Sequence, residues 1–260
     1  MKTIILSFDD ARLDFYTRAM PILQKYHLPA TLNVITDFVE EPKKYTQFLS
    51  GKNLAMTYSQ IRECQQKGIE IACHGHLHKN NAEDILSNIE HLRKAGLSLE
   101  QGIGFASPNS QITEENKREQ GVWQLVETDV LKYVRSGIQI RREGVGYSVL
   151  SAIDMLIHSP KLFYWLNRKN IIETILPKNR IIPSVAIFSY TTLQQIQYMI
   201  DKMPDETTLI LMFHSILMPQ DIGYGKDKWF WDSRKFNNLC KYCAEKTEIN
   251  VSTTINVISH

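Results

Sequence analysis

Two adjacent carboxylates, Asp9 and Asp10, end an apolar run near the start of a 260-residue chain, and His74-Gly75-His76-Leu77-His78 places three imidazoles within one short segment. Neighbouring carboxylates repel and each is costly to desolvate, so a buried pair calls for a cation. Imidazole nitrogen and carboxylate oxygen are the donors that zinc and similar ions accept. His74 and His78 are four apart, which puts both rings on one side if the segment turns helically. One Asp suffices as a ligand, and the other is then placed to take a proton from activated water. We read the two clusters as halves of one metal site. His214, at the end of Leu209–Phe213, is a third chemical candidate.

Plainer readings stand beside these. The Asp pair suits the N-terminus of a helix beginning near Leu13. His78 fits a surface position, and His214 fits a core histidine bonded to a carbonyl. His76 forms His-x-His with His74, the ligand pattern of metal-dependent amidohydrolase barrels. Those barrels place the pair after their first strand, where this chain has Asp-Asp, so His76 is expected beside the site or facing solvent. His27, His91, His158 and His260 lack such context and are read as surface residues.

These residues must be positioned by strands and helices in alternation. Strands are expected at Ile4–Phe8, Ala30–Ile35, Ile69–Cys73, Gly102–Ala106, Gly137–Ile140, Ile182–Ile187 and Leu209–Phe213, with a last one near Ile249–Thr253. Helices are expected over Leu13–Tyr26, from Thr57 to Lys67 with Gly68 as the stop, and over Ala82–Ala95 capped by Asn80 or Asn81 and closed by Gly96. Thr191 with Gln194 reads as a capping box for a helix ending near Met203. Such alternation implies a parallel sheet or barrel, whose site lies at the carboxyl ends of the strands. Asp9-Asp10, His74–His78, Ala106–Asn109 and His214 all fall there.

Composition sets limits. A net charge of +2 and no basic run with interleaved aromatics argue against nucleic acid. No apolar stretch reaches the roughly 20 residues of a membrane span. The opening residues do not resemble a signal peptide, so a cytoplasmic protein is expected, or a secreted one if a leader has been removed. Cys64, Cys73, Cys240 and Cys243 are read as reduced and structural. Residues 141–180 break the alternation and are expected to be an inserted helical pair packed on one catalytic domain spanning 1–260. A lid, or a docking surface for substrate, partner or a membrane interface, the last through 147–166, is the alternative.

Ser7-Phe8-Asp9-Asp10, the His74–His78 segment and Leu211-Met212-Phe213-His214 together resemble the motifs of the polysaccharide deacetylases, carbohydrate esterase family 4 with its NodB homology domain, over about residues 3 to 257. The resemblance implies an α/β fold: a distorted, incomplete, TIM-like (β/α) barrel of about seven parallel strands. It implies metal ligation by Asp10, His74 and His78, with Asp9 as general base and His214 as general acid. The cofactor would be a divalent ion, zinc first, with cobalt, nickel, manganese or iron as alternatives. The substrate would be an N-acetylated sugar in a glycan, glycolipid or cell-envelope precursor. A backbone N–H after Pro108 would help stabilise the oxyanion.

The third motif diverges. Ala106 stands where the family has the Arg that orients the catalytic Asp, Asn109 stands where it has Tyr, and Ala11 replaces a Gly. Arg135, or else Arg141, is expected to supply the missing charge, and Asn109 to offer its backbone N–H. Trp229 and Trp231 are candidates for stacking on a sugar, with core packing as the alternative. Two further functions follow from the same residues: an amidohydrolase of a small-molecule amide, and a non-catalytic glycan-binding relative suggested by Ala106.

Overall fold

The computed structural model describes residues 1–48, 54–137, 145–173, 175 and 181–258, with the backbone alone for 145–148. Eleven strands occur among them: β1 (Lys2–Phe8), β2 (Thr31–Val34), β3 (Glu70–Cys73), β4 (Phe105–Ala106), β5 (Val134–Gly137), β6 (Ile172–Glu173), β7 (Ile182–Ala186), β8 (Thr207–Phe213), β9 (Ser215–Leu217), β10 (Phe230–Asp232) and β11 (Ile249–Ser252). The helices are α1 (Met20–Lys25), α2 (Thr36–Glu40), α3 (Tyr58–Gln66), α4 (Ala82–Lys94), α5 (Val122–Glu127), α6 (Val145–Ile157), α7 (Pro160–Asn167), α8 (Leu193–Lys202) and α9 (Ser233–Glu245).

Strands β1, β2, β3, β4, β5, β7 and β8 are parallel neighbours in that order, and β8 returns to pair with β1 from Thr3↔Thr208 to Phe8↔Phe213. The ring is irregular. β1 meets β2 only through Ser7↔Thr31 and Phe8↔Leu32, and β3 meets β4 only through Cys73↔Phe105. Outside the ring, β11 runs parallel to the first half of β1 and β6 antiparallel to β8. This is the expected α/β architecture, a distorted barrel rather than a regular one.

Strand period explains how the core and the site are separated. Ile4, Leu6 and Phe8 of β1 join the large apolar cluster under the helices, whereas Ile5 packs with Ala72, Tyr133, Ile182 and Ile210. Side chains two apart share a face of a strand, so Asp9 follows Ile5 and Ser7 onto the ring side. Parallel strands covered on both faces read as continuous apolar runs, as β1 and β8 do.

Several boundaries differ from the sequence expectation. The fifth strand occupies Val134–Gly137 instead of 137–140, and residues 138–140 lie outside the described residues. The late capping box is Thr192 with Gln195, one position on from Thr191 and Gln194. The alternative register was open to the sequence because Thr and Gln are doubled at both positions. The first helix begins as a π-helical turn at Phe15–Ala19 before α1. In the segment 141–180, α6 and α7 are helices as expected, and α7 packs its Phe163 and Leu166 inward. Arg141 and the side chain of Tyr147 lie outside the described residues, as does His260.

Candidate active site

β1 ends at Phe8, and the chain turns at once through Asp10 (φ +79°) and Ala11 (φ +63°). Positive φ costs a non-glycine residue roughly 1–2 kcal/mol, so the turn is held by what surrounds it. Both carboxylates are buried and each has its own guanidinium. Arg135 on β5 donates from Nη2 to Asp9 Oδ1 at 2.5 Å, and Arg12 donates from Nε and Nη2 to Asp10 Oδ2 at 2.8 Å. Asn33 of β2 adds a donor 2.8 Å from Asp9 Oδ1. Two arginines therefore balance the acid pair: Arg135, which the sequence offered as the missing charge, and Arg12, which it did not.

Burial alone would raise both carboxyls, but Arg135 and then His74 hold Asp9 below the usual carboxylate range. Burial is outweighed further at Asp10, where Arg12 and His74 hold the group well below that range. Both are ionised at neutral pH. The reading of Arg135 as a substitute for the missing cation at Ala106 has a geometric counterpart, since Arg135 is the residue paired with Ala106 across β4 and β5. Its guanidinium reaches Asp9 from the neighbouring strand.

His74 follows β3 and accepts no choice of tautomer. Its Nδ1 lies 2.8 Å from the carbonyl of Ala106, which can only accept, so Nδ1 carries a proton and in the neutral ring Nε2 presents the lone pair. That Nε2 is 3.5 Å from Asp10 Oδ1 and 3.9 Å from Asp9 Oδ2. Burial lowers the His74 pKa, but Asp9 and Asp10 outweigh it and raise the group. The His78 ring stands 4.8 Å from that of His74 and is drawn down to about 4 by burial and by His74.

The loop between the two histidines is fixed by α4. Asp84 accepts from the backbone N–H groups of Leu77 (2.8 Å) and Lys79 (3.0 Å), while Asn88 donates to the carbonyl of Gly75 at 2.6 Å. Gly75 has φ +81°, and a Cβ there would lie 2.5 Å from Asp84 Oδ2. Only glycine fits this loop without displacement. Asp10, His74 and His78 each offer a donor atom, all within 4.8 Å of one another, a group that fits one divalent ion.

His214 follows β8 on the opposite side of the carboxylates. Burial draws its ring to about 4 against the pull of Asp10 and then Asp9, and its Nδ1 is buried without a hydrogen-bond partner. Trp229 covers it, ring centres 4.5 Å apart. A cavity of about 660 Å³ opens over Asp9, Asp10, His74, His78 and His214, with Asn109 and Trp229 on its walls. Asn109 is exposed, at φ +52°, just beyond Pro108.

Trp231 does not reach the cavity. It is 1% exposed, donates from Nε1 to the carbonyl of Thr191 at 2.8 Å and packs on Phe213, so it belongs to the core and not to a sugar platform. His76 turns away to Thr36 Oγ1 (2.8 Å) and stacks on His91. Sequence reasoning missed Arg12 and Asn33. The signal for Arg12 was its place between Asp10 and Asp14, but an arginine there reads equally well as solvent-facing.

Residues 1–135 match the polysaccharide deacetylase family. A poly-β-1,6-N-acetyl-D-glucosamine N-deacetylase of Escherichia coli is 33% identical over 78 residues, which are 28% of this chain and 12% of that protein's length. The chain thus matches a small part of that curated relative. Among solved structures, a family 4 acetyl xylan esterase from Clostridium thermocellum, in complex with a cobalt ion, aligns over 98% of this chain and 89% of its own at 16% identity, with a TM-score of 0.51. The peptidoglycan deacetylase PdaC from Bacillus subtilis aligns over 98% of this chain and 89% of its own at 12% identity, with a TM-score of 0.48. By the match over its first half, the chain belongs to the polysaccharide deacetylase family.

Proposed function

We propose that the protein is a metal-dependent hydrolase that removes the acetyl group from an N-acetylated sugar. The observation that carries this reading is the convergence on one cavity of a three-donor group, Asp10, His74 and His78, with the ionised carboxylate of Asp9 and a third imidazole, His214. Asp10 Oδ1, His74 Nε2 and a His78 ring nitrogen would hold a divalent ion, zinc or one of cobalt, nickel, manganese and iron. The ion would supply Lewis-acid polarisation of water and of the acetyl carbonyl.

The remaining work falls to the chain. Asp9 has Oδ1 engaged by Arg135 and Asn33, leaving Oδ2 to accept a proton from the attacking water. The water oxygen adds to the acetyl carbon and the C–N bond breaks. The leaving nitrogen takes a proton from His214, whose burial makes the protonated ring a ready donor. Asp9 then returns its proton to His214, and the products leave as the amine and acetic acid, which gives its proton to the amine or to solvent to become acetate. The backbone N–H of Asn109 is a candidate donor to the oxyanion, and Trp229 at the cavity wall is a candidate sugar platform.

Arg135 also bears on the non-catalytic alternative. That reading drew on the missing cation at Ala106, and a guanidinium on Asp9 removes its motive. Acetate release from N-acetylglucosamine oligomers tests the proposal. Asp9→Asn and His214→Ala are each expected to lower release by about 10²-fold or more with circular dichroism unchanged. Release at the parent rate in either variant would contradict the assignment.

A further inference from the structure

Helix α6 turns its apolar residues outward. Val149, Ala152, Ile153 and Leu156 fall at i, i+3, i+4 and i+7, a single helical stripe. Val149 is 51% exposed, Ile153 39% and Leu156 80%, with Ile157 at 62%. The side of α6 that meets the cavity carries Ser151, Asp154 and Met155. On α7 and just beyond it, Lys161, Trp165 and Arg168 recur at i, i+4 and i+7, all exposed, with exposed Lys169 beside them. Phe163 and Leu166 face inward and line the cavity.

Among the described residues from 149 to 172 the exposed charges have one sign. The sole acid from 149 to 172 is Asp154, which is buried and accepts from Gln195 at 3.1 Å. Solvent therefore meets an apolar stripe on α6, and three cations with a half-exposed indole on the α7 segment that packs against it, the composition of helices that lie in a lipid interface. A second copy is a poorer occupant, because a twofold contact would set these cations beside their own symmetry mates.

We infer that the outward faces of α6 and α7 dock on the surface of an anionic lipid bilayer. Leu156 and Ile157 enter the acyl boundary, Trp165 sits at headgroup level, and Lys161, Arg168 and Lys169 meet the anionic groups. The inner faces of the same helices line the cavity, so docking holds it about one helix diameter, roughly 10 Å, from the membrane. The docking does not depend on which bond the cavity cleaves.

Co-sedimentation of the full chain with vesicles tests this. The protein is expected to bind phosphatidylcholine vesicles containing about one-third phosphatidylglycerol at least tenfold more tightly than pure phosphatidylcholine, and to be released by high salt. Leu156→Glu with Ile157→Glu should lower that binding about tenfold or more. Lys161→Glu with Arg168→Glu should do the same, at about fivefold per cation lost. Circular dichroism should be unchanged in both. No binding to anionic vesicles, or binding that both double variants retain, would overturn the inference. So would a dimer in sedimentation velocity that Leu156→Glu abolishes while the parent ignores vesicles.

Discussion

At the scale of single residues the site is a problem in charge balance. Asp9 and Asp10 are adjacent, buried and ionised, and the structure gives each a separate arginine. Removing one partner of a buried pair leaves an uncompensated charge, which typically costs about 3–5 kcal/mol. Arg135→Met is therefore expected to lower unfolding free energy by about that amount in urea titrations, and Asp9→Asn in the same chain should restore most of it. A loss in the double variant equal to the sum of the singles would contradict the pairing. Asp14 offers a pH test away from the ligand set. Burial raises its carboxyl to about 6 against the pull of Arg12, above the ordinary value near 3.8. The folded state then holds the proton more tightly than the unfolded one. That contribution is complete below the ordinary value and is lost as pH rises through about 6. Asp14→Asn keeps an acceptor for the Ile216 N–H, so it is expected to be more stable than the parent by roughly 2 kcal/mol at pH 7–8 and equal to it near pH 4. Thermal melts across that range would show the crossover or its absence. The three candidate donors, Asp10, His74 and His78, were legible in the sequence because their spacing is chemical. The arginines were only half legible, since Arg135 acts across strands and Arg12 differs from a surface arginine only in its burial.

At the scale of elements, the imidazoles depend on a loop that α4 holds from outside. Gly75→Ala places a Cβ 2.5 Å from Asp84 Oδ2 at a residue with φ +81°. We expect a loss of at least 1–2 kcal/mol of stability and of about tenfold or more in zinc affinity, read by calorimetric titration. Unchanged zinc affinity would mean that the loop adapts without moving His74 or His78. Element existence was readable from apolar period, caps and stopping glycines, as at Thr57 with Gly68 and Asn81 with Gly96. Register was not always readable. The Thr191-Thr192 and Gln194-Gln195 doublets offer two equivalent capping boxes, and packing of Ile196, Met199 and Ile200 into the core selects the later one.

At the scale of the whole molecule, closure of the ring brings the site together. Asp9 and His214 are neighbours because β1 and β8 pair along their length, and the backbone N–H of Asp9 donates to the Phe213 carbonyl at 2.9 Å. Alternation of strands and helices announced a parallel sheet or barrel, but strand order is long-range and no local pattern states that β8 returns to the first strand. Leu211 lies in that seam, fully buried opposite Leu6 and Val185. Leu211→Ala is expected to cost about 3 kcal/mol by urea unfolding, and a cost below about 1 kcal/mol would mean the seam is loosely packed. We propose that this closure assembles a metal-dependent deacetylase. The most direct measurement is acetate release from N-acetylglucosamine oligomers after chelation, followed through a titration with zinc, in the parent and in His78→Ala. The account predicts that chelation abolishes release, that zinc restores it in the parent with saturation near one equivalent, and that His78→Ala is not restored at the same concentration. Release that survives chelation, or that His78→Ala supports at low zinc as well as the parent does, would contradict it.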